Sequence, residues 1–521
     1  MNTQNKNLTV WIILFAIILA AFFLRFYNIE NLPSGIYPDE AVNGIDAYGA
    51  QLTGNYQLFY PDNNGREGLF INLQALSIKF LGNTVTALKL WSIIFGTLTV
   101  LGVFLLSQEI FRSYRAGLIS AYLTAFSYWA INFSRIGFRA IMVPLITTFS
   151  FYFLLRGFRT KKYINFILSG LIFGLGFHTY IAFRITPVIV VALLIFLSAF
   201  HKHFVKIFWK QILIFGIAAF ITLSPMIYEF YTHPEYLESR SASVSIFSPE
   251  MNKGNIVTTF FRSLGLSLVK YNFWGDQNWR HNYPPYPILN PIVGITFLTG
   301  LLYTIYKTFH LLWLRYKHNI RDEKFFLYLF ILTWFVCMLV PEFLTAEGLP
   351  HSLRSIGTLP TVMILATIPF LWIIGKIQTY SYSLKITAIS LLAASFIFIG
   401  IFDPIKYFLF FQNNPKQHSS FNANLKDIAY YIQTLPKNTI KYIVAGNMER
   451  IPIKYLNPTL PNAFYVHPDQ LSSIKPTGNF VIVTTPDQAY NVSHYIEKMF
   501  PAIKKIEHEN LPGDKFFEFK K

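Results

Sequence analysis

Two adjacent carboxylates, Asp39 and Glu40, stand in the short segment Ser34-Gly-Ile-Tyr-Pro-Asp-Glu-Ala41. A carboxylate beside a hydrogen-bonding or metal-binding partner can act as a general base that takes a proton from a nucleophile. The same pattern is typical of a helix start, because Asp caps the first turn and Glu is favoured by the helix dipole. The spacing alone leaves both interpretations open, a catalytic base and a helix cap.

A second charged pair, Arg66 and Glu67, lies between two glycines in Asn64-Gly-Arg-Glu-Gly-Leu-Phe70. The segment runs into an apolar helix, which would bring a third carboxylate close to Asp39 and Glu40. The alternative is an exposed turn with a weak ion pair. Both interpretations fit the sequence equally well.

Four arginines are candidates for binding an anion, because each stands at the end of an apolar run. They are Arg135 and Arg139 in Phe133-Ser-Arg-Ile-Gly-Phe-Arg139, Arg184 in Tyr180-Ile-Ala-Phe-Arg184, and Arg354 in Pro350-His-Ser-Leu-Arg354. A guanidinium group matches phosphate oxygens in pairs and stays charged. The alternatives are snorkelling to lipid headgroups and pairing with the carboxylates of the first two motifs. Arg354, together with His351, is the first candidate for holding a phosphate.

The segment Trp274-Gly-Asp-Gln-Asn-Trp-Arg-His-Asn-Tyr-Pro-Pro-Tyr-Pro287 mixes aromatic rings with polar side chains, among them Arg280 and His281. Such a mixture suits a sugar, which stacks on rings and hydrogen-bonds through its hydroxyls, but it also fits an aromatic belt at a membrane interface. His281 has no partner at metal-ligand spacing. The chain has no nucleotide-phosphate loop, nucleophile elbow or zinc signature.

The composition determines the class of protein that must position these side chains. Of 521 residues, 53% are apolar and only 13% are charged, about half of the roughly 25% usual in soluble proteins. So few charges cannot cover a soluble surface of this size, which excludes a cytosolic enzyme and predicts a multi-pass membrane protein. The net charge of +18 is then explained by basic cytoplasmic loops and contact with membrane lipid, so no nucleic acid partner is expected.

Apolar runs long enough to cross about 30 Å of hydrocarbon occur at eleven places. The predicted spans are 9–26, 85–107, 116–133, 140–156, 163–181, 186–201, 210–228, 292–313, 325–341, 357–375 and 385–402. The first run has Lys6 ahead of it and Arg25 directly after it, with no convincing cleavage site, so it is interpreted as an uncleaved anchor rather than a signal peptide. The single cysteine, Cys337, lies inside a span, which excludes a disulfide framework.

Basic residues in alternate loops predict the orientation, because cytoplasmic loops are enriched in Lys and Arg. With the N-terminus inside, the cytoplasmic loops carry Arg112 and Arg115; Arg156, Arg159, Lys161 and Lys162; Lys202, Lys206 and Lys210; Lys307, Arg315, Lys317, Arg321 and Lys324; Lys376 and Lys385. The long segments 27–84 and 229–291, and everything after the last span, then lie outside. The expected location is the inner (plasma) membrane.

Residues 403–521 have a different pattern from the predicted membrane part, 1–402. A helical pattern at Asn424–Thr434 precedes a strand-like run, Ile440–Val444, and a second strand-like run, Asn479–Thr485, precedes a helical pattern at Asp487–Phe500. This alternation predicts a small α/β domain outside the membrane.

Taken together, these motifs resemble the membrane-embedded glycosyltransferases of the GT-C type. The Asp-Glu pair just after the first span is similar to that of the protein O-mannosyltransferase-like enzymes and of the lipid A aminoarabinose transferase. The segments beginning at Gly65, Phe133, Thr179, Gly275 and His351 look like the bacterial branch of this group. The order of the motifs, and their shared place at one membrane face, carries the resemblance.

The resemblance implies an α-helical membrane enzyme that transfers a sugar from a polyprenyl-phosphate carrier to an acceptor at the outer face, with inversion at the anomeric carbon. Asp39 would take the proton from the acceptor, Glu40 would orient Asp39 or the sugar, and Glu67 would support the site. Arg354, with one of the other outer arginines, would hold the carrier phosphate, which is the leaving group.

The resemblance leaves several points open. The acceptor is a hydroxyl-bearing or amine-bearing glycolipid, glycan or protein, and no cofactor is certain. A divalent cation is one option, with Asp39 and Glu67 as its ligands. A transporter or flippase of lipid-linked sugars is the alternative function. It would require ionisable residues near mid-membrane and repeated, broken spans, whereas the charges here gather at helix ends and no internal repeat is evident.

Overall fold

The computed structural model describes residues 3–201, 203–237, 244–318, 320, 322, 324–476, 478–511 and 514–520. Two of the basic residues used to predict the orientation, Lys202 and Arg321, lie outside these described residues. Residues 238–243 of the second predicted outer segment also lie outside them.

Nine helices among the described residues are long and apolar enough to cross a membrane. The candidate spans are Leu8–Phe26, Val85–Phe111, Arg139–Thr160, Ile181–Phe200, Phe204–Thr232, Pro291–His318, Lys324–Phe343, Ile356–Thr379 and Tyr382–Phe411. In five of them the α-helix has different bounds from the span: Thr3–Phe26, Met142–Thr160, Thr186–Phe200, Leu359–Lys376 and Tyr382–Ile405. Many of their aromatic and aliphatic side chains face outward, as expected of helices solvated by lipid. The predicted α-helical membrane class is confirmed, and the protein is a multi-pass membrane protein.

Two of the eleven predicted spans correspond to shorter, interrupted helices. The run 116–133 forms two helices, Tyr114–Phe126 and Tyr128–Ser134, that break at Ser127, where the backbone is extended. The carboxylate of Asp403 accepts the freed backbone N–H of Tyr128 at 3.0 Å and caps the second helix. Likewise, the run 163–181 forms the helix Tyr163–Leu175 and one 3₁₀ turn. Hydropathy does not register such breaks, because the residues on both sides are apolar.

The segment between the first two long helices folds back on the end of the membrane part as two short helices, Pro38–Thr53 and Gly68–Leu81. A two-residue antiparallel ribbon, Phe59–Tyr60 with Arg66–Glu67, lies between them. Pro38 occupies the first turn of its helix, where a missing N–H costs nothing. In the second long segment the helices are Pro249–Asn252 and Ile256–Val269.

The C-terminal part is a five-stranded mixed sheet with helices against it. In spatial order the strands are Ala463–Val466, Ile440–Val444, Phe480–Thr484, Asp514–Lys520 and Lys504–Leu511; the first three are parallel and the last two antiparallel. Its helices are Pro415–Ser420, Ala423–Thr434, Arg450–Leu456 and Pro486–Met499. The predicted α/β alternation is therefore present. The last long helix continues through a π-helical turn, Lys406–Phe411, so a domain boundary at 402/403 stays a prediction.

The α/β part packs directly on the helix that begins with the Asp-Glu pair. The ring of Tyr455 lies against Gly44 of the helix Pro38–Thr53, and its hydroxyl donates a hydrogen bond of 2.9 Å to the carbonyl of Thr84. Apolar side chains from both parts, such as Ile36 and Ile428, belong to one buried cluster. The α/β part therefore packs against this helix on the side of Gly44 and stabilises its position.

This contact predicts opposite effects for two glycines on the same helix. A Cβ at Gly44 would lie 2.4 Å from the Tyr455 ring, whereas a Cβ at Gly49 would meet nothing within 4 Å. Gly44→Ala should destabilise the protein by about 1–3 kcal/mol through overpacking. Gly49→Ala should stabilise it by up to about 1 kcal/mol through helix propensity. Thermal unfolding of both variants in detergent checks this, and equal midpoints would show that the helix and Tyr455 are not in contact.

Candidate functional site

A cavity of about 300 Å³ lies where the segment 27–84 meets the ends of several long helices. Among the described residues, the charged side chains that line it are Asp39, Arg66, Glu67, Arg139, Arg184 and Arg354. Aromatic rings, including those of Phe138 and Tyr180, complete the wall. The structure therefore brings together two of the predicted carboxylates and four of the predicted arginines.

Asp39 stands in the first turn of the helix Pro38–Thr53, and its side chain is 40% exposed. One carboxylate oxygen, Oδ1, accepts a hydrogen bond of 2.9 Å from Asn63 Nδ2. The other, Oδ2, lies 4.0 Å from a guanidinium nitrogen of Arg280. Asp39 is also one of the residues that line the cavity, so its carboxylate stands at the cavity between Asn63 and Arg280.

Glu40, although adjacent, has a different environment. It is fully buried and is not among the residues lining the cavity in the described chain. Its Oε1 accepts the backbone N–H of Gly137 at 2.5 Å, and its Oε2 accepts that of Tyr37 at 3.4 Å as part of a capping box. Burial raises the pKa of Glu40, while the nearby charge of Lys89 opposes that rise. Glu40 thus fixes the start of the Asp39 helix against the Phe133–Arg139 segment.

Glu67 is the centre of a buried ionic cluster. Its Oε2 accepts a hydrogen bond of 2.8 Å from Arg139 Nε, and its Oε1 lies 3.7 Å from Arg184 Nη2. Only about 3% of the Glu67 side chain is exposed. A buried carboxylate without a positively charged partner is costly, so Glu67 keeps the guanidinium groups of Arg139 and Arg184 beside it.

The four arginines of the cavity differ in how many of their N–H groups already donate hydrogen bonds within the protein. Arg66 is buried and bonds to Asp62 O, Asn43 Oδ1 and Asp46 Oδ2. Arg184, with a side chain 32% exposed, makes no hydrogen bond within the described part of the chain and stacks over Phe230. Among the described residues Arg354 bonds to Glu347 alone, through its carbonyl and carboxylate. The side chains of Arg184 and Arg354 are 32% and 17% exposed, so these two arginines are the best placed to bind a ligand.

Arg135, predicted as a phosphate ligand, has a structural position instead. It is completely buried and donates hydrogen bonds of 2.7–2.9 Å to four backbone carbonyls, those of Leu24, Arg25, Tyr27 and Leu32. It is absent from the lining of the cavity among the described residues. These carbonyls end the first long helix and the turn after it, so Arg135 satisfies acceptors that would otherwise be buried without a donor.

Residues of the segment 229–291 form a separate polar cluster with His351 beside the cavity. His281 Nδ1 lies 3.2 Å from Asp276 Oδ2, and the rings of His281 and His351 are 4.7 Å apart. His281 has no partner at metal-ligand spacing in the sequence, but the fold brings His351 next to it across 70 positions. Arg280, next to His281, reaches Asp39 and stacks over the Tyr37 ring at 4.8 Å.

The protonation states in this cluster follow from its contacts. Burial alone would raise the pKa of Asp276, but the charge and hydrogen bond of His281 hold it below its ordinary value. Burial, with the nearby charges of His281 and Arg354, holds the pKa of His351 well below its ordinary value. The cluster thus places an ionised carboxylate next to a neutral His351 at neutral pH.

Several site residues have no signal in the sequence. Asn63 and Asp46 fix Asp39 and Arg66, but both stand in ordinary polar surroundings along the chain. Asp276 could have been selected only as part of the aromatic-polar segment, and Glu342, which pairs with the buried Lys270, stands inside an apolar run. The two carboxylates considered for a cation, Asp39 and Glu67, both line the cavity, but both oxygens of Glu67 already face guanidinium groups.

Comparison with known proteins confirms the resemblance found in the sequence. The sequence model of the family described as dolichyl-phosphate-mannose-protein mannosyltransferase matches residues 69–228. No curated protein sequence matches the chain significantly.

Among solved structures, ArnT from Cupriavidus metallidurans bound to undecaprenyl phosphate is similar with a TM-score of 0.57 and 11% identity, over 99% of this chain and 98% of that chain. The archaeal oligosaccharyltransferase AglB from Archaeoglobus fulgidus, in complex with an inhibitory peptide and a dolichol-phosphate, has a TM-score of 0.56 and 13% identity, over 92% and 70%. The chain has a GT-C fold. In this GT-C fold the cavity lies between the segment 27–84 and the ends of the long helices.

The environments of Arg135 and Arg184 predict that the same substitution destabilises the protein much more at Arg135 than at Arg184. Arg135→Gln should lower the free energy of unfolding by at least about 3 kcal/mol, because several charged hydrogen bonds to buried carbonyls are lost. Arg184→Gln should cost about 1 kcal/mol or less, because its side chain is partly exposed and its ion pair is long. Thermal unfolding in detergent tests this pair, and a greater loss in Arg184→Gln would contradict the assignment of Arg135 to structure.

Proposed function

We propose that the protein is a glycosyltransferase that moves a sugar from a polyprenyl-phosphate carrier to an acceptor at the outer membrane face. The observation that carries the proposal is the joint lining of one cavity by the exposed carboxylate of Asp39 and the accessible guanidinium groups of Arg184 and Arg354. A base for the acceptor and a cationic site for a phosphate are what this reaction needs.

The charge balance of the cavity favours an anionic ligand. Four arginines and two carboxylates line it. Asp46 pairs with Arg66 and Glu347 pairs with Arg354, whereas Glu67 faces two guanidinium groups and offsets no more than one of them. The remaining positive charge lies at the end of lipid-facing helices, where a phosphate on a polyprenyl chain would be located. The structural relatives bound to undecaprenyl phosphate and dolichol-phosphate support the same class of carrier.

The reaction we infer is a single displacement. The acceptor hydroxyl, or amine, gives its proton to Oδ2 of Asp39 as its oxygen or nitrogen bonds to the anomeric carbon of the sugar. The bond from that carbon to the phosphate oxygen breaks at the same time, and its electron pair leaves with the polyprenyl phosphate. Arg184 and Arg354 stabilise the charge that develops on the phosphate. Attack from the side opposite the leaving group inverts the anomeric centre.

The other residues of the site act through these groups. Asn63 and Arg280 orient the Asp39 carboxylate, Glu40 fixes the helix that carries it, and Glu67 holds Arg139 and Arg184 in the cavity wall. The acceptor is a glycolipid, glycan or protein that approaches from the outer side, with the N-terminus of the chain in the cytoplasm and the α/β part outside.

The base assignment predicts that Asp39→Asn lowers the rate of sugar transfer at least about 100-fold while leaving carrier binding largely intact. The test is transfer from labelled polyprenyl-phosphate sugars in proteoliposomes. Asp62→Asn is the matched control, because Asp62 is an exposed carboxylate of the same loop that does not line the cavity among the described residues. Full turnover in Asp39→Asn, or an equal loss in both variants, would contradict the assignment.

The phosphate site predicts that Arg354→Gln weakens carrier binding about 10–100-fold, because charged hydrogen bonds to the phosphate are lost. Arg262→Gln is the control: Arg262 is an exposed arginine on the helix Ile256–Val269, so it removes a cation without touching the cavity. Binding is measured by titrating polyprenyl phosphate into the protein in nanodiscs. Equal affinities for the two variants would mean that Arg354 only contacts lipid headgroups.

A further inference from the structure

Asp276, His281 and His351 bring their ligand atoms within 4.8 Å of one another. The separation of His281 Nδ1 and Asp276 Oδ2 is 3.2 Å, close to the roughly 3.3 Å between two ligands bound at about 2.0–2.1 Å to a tetrahedral ion. The distance therefore suits two atoms that share a metal ion as well as two atoms that share a proton.

Buried atoms without partners surround this cluster. Within the described part of the chain, His351 Nδ1 is buried and has no hydrogen-bond partner, and the same is true of Asn282 Oδ1 and Ser352 Oγ. These two residues directly follow His281 and His351 in the sequence. Buried polar atoms are nearly always satisfied by protein, water or an ion. Three unsatisfied atoms in neighbouring residues indicate that a ligand belongs here.

The ligand atoms are held in position by contacts of their own. Asp276 is 1% exposed, and its carboxylate accepts the backbone N–H groups of Asn278 at 2.9 Å and Ser352 at 2.6 Å. The ring of His281 stacks on Phe133 with 5.6 Å between ring centres. Such outer contacts orient the ligands of protein metal sites before the ion binds.

We propose that Asp276, His281 and His351 bind a divalent transition-metal ion, with Zn²⁺ as the ion that fits them best. Two imidazoles and one carboxylate suit zinc, whereas calcium and magnesium prefer oxygen ligands. Three protein ligands leave a fourth position for water or a neighbouring oxygen. The site is distinct from the cavity, since none of its ligands is among the described residues lining that cavity, and the proposal does not depend on the proposed function.

The ion would position two arginines of the candidate active site. It would join the segment that carries Arg280, which reaches Asp39, to the segment that carries Arg354. The two segments are far apart in sequence. The backbone N–H of Ser352 donates a hydrogen bond to the carboxylate of Asp276 and so links them directly. A metal bond from each segment would fix their separation, and with it the distance between base and phosphate site.

The test measures metal content, independently of activity. The full-length protein is purified in detergent without a polyhistidine tag, incubated with Zn²⁺, desalted and analysed by inductively coupled plasma mass spectrometry. We expect about one zinc per chain in the wild type and less than about 0.2 in His281→Gln and His351→Gln. The control is His178→Gln, because His178 is a buried histidine that bonds to the Thr222 carbonyl, away from the cluster; it should retain the ion.

Two results would overturn the proposal: a wild type that retains no zinc, or zinc that all three variants retain equally. If the cluster variants do not fold, the wild type alone decides. Its X-ray absorption spectrum at the zinc edge should give two imidazole ligands with oxygen, and Co²⁺ in place of zinc should give the visible absorption of a tetrahedral site. A zinc spectrum without imidazole ligands would mean that the bound metal lies elsewhere.

Discussion

The buried carboxylate of Glu67 is the interaction on which the rest of the site depends. It receives Arg139 at 2.8 Å and faces Arg184 at 3.7 Å, so it joins three segments that are distant in sequence. Removing Glu67 would leave the guanidinium group of Arg139 without its carboxylate partner, and removing Arg139 would leave the buried Glu67 without its hydrogen-bond donor; either change is costly in a low-dielectric environment. The cavity wall is therefore ordered before a ligand arrives, and no reorganisation is needed when charge develops on a leaving phosphate.

Two neighbouring carboxylates have different environments in this fold. Asp39 and Glu40 both stand in the first turn of one helix, but only Glu40 is fully buried. Glu40 is buried and its oxygens are used by backbone N–H groups, which anchors the helix, whereas Asp39 keeps one oxygen at the cavity. Tyr455 packs on the same helix at Gly44, so the α/β part supports the helix that carries Asp39.

The sequence carries much of this arrangement because the membrane limits where charge can stand. Glu67, Arg184 and Arg354 could be assigned to one face from hydropathy alone, since polar groups at the ends of apolar helices must lie at the membrane surface. Of the elements after residue 403, two of the five strands and two of the four α-helices were predicted from the sequence pattern. The break at Ser127, the backbone contacts of Arg135 and the pairing of His281 with His351 could not be predicted in this way, because each depends on a partner 70 or more positions away in the sequence.

We propose that the arginines of this cavity hold the phosphate of a polyprenyl carrier opposite Asp39. The most direct measurement is an electron cryomicroscopy structure of the protein in nanodiscs with polyprenyl phosphate bound. We expect density for the phosphate in contact with Arg184 and Arg354. The prenyl chain should run along the lipid-facing helices, and Asp39 should lie across the cavity from the phosphate. Phosphate density at the headgroup level outside the cavity, with both arginines still paired only to Glu67 and Glu347, would contradict it.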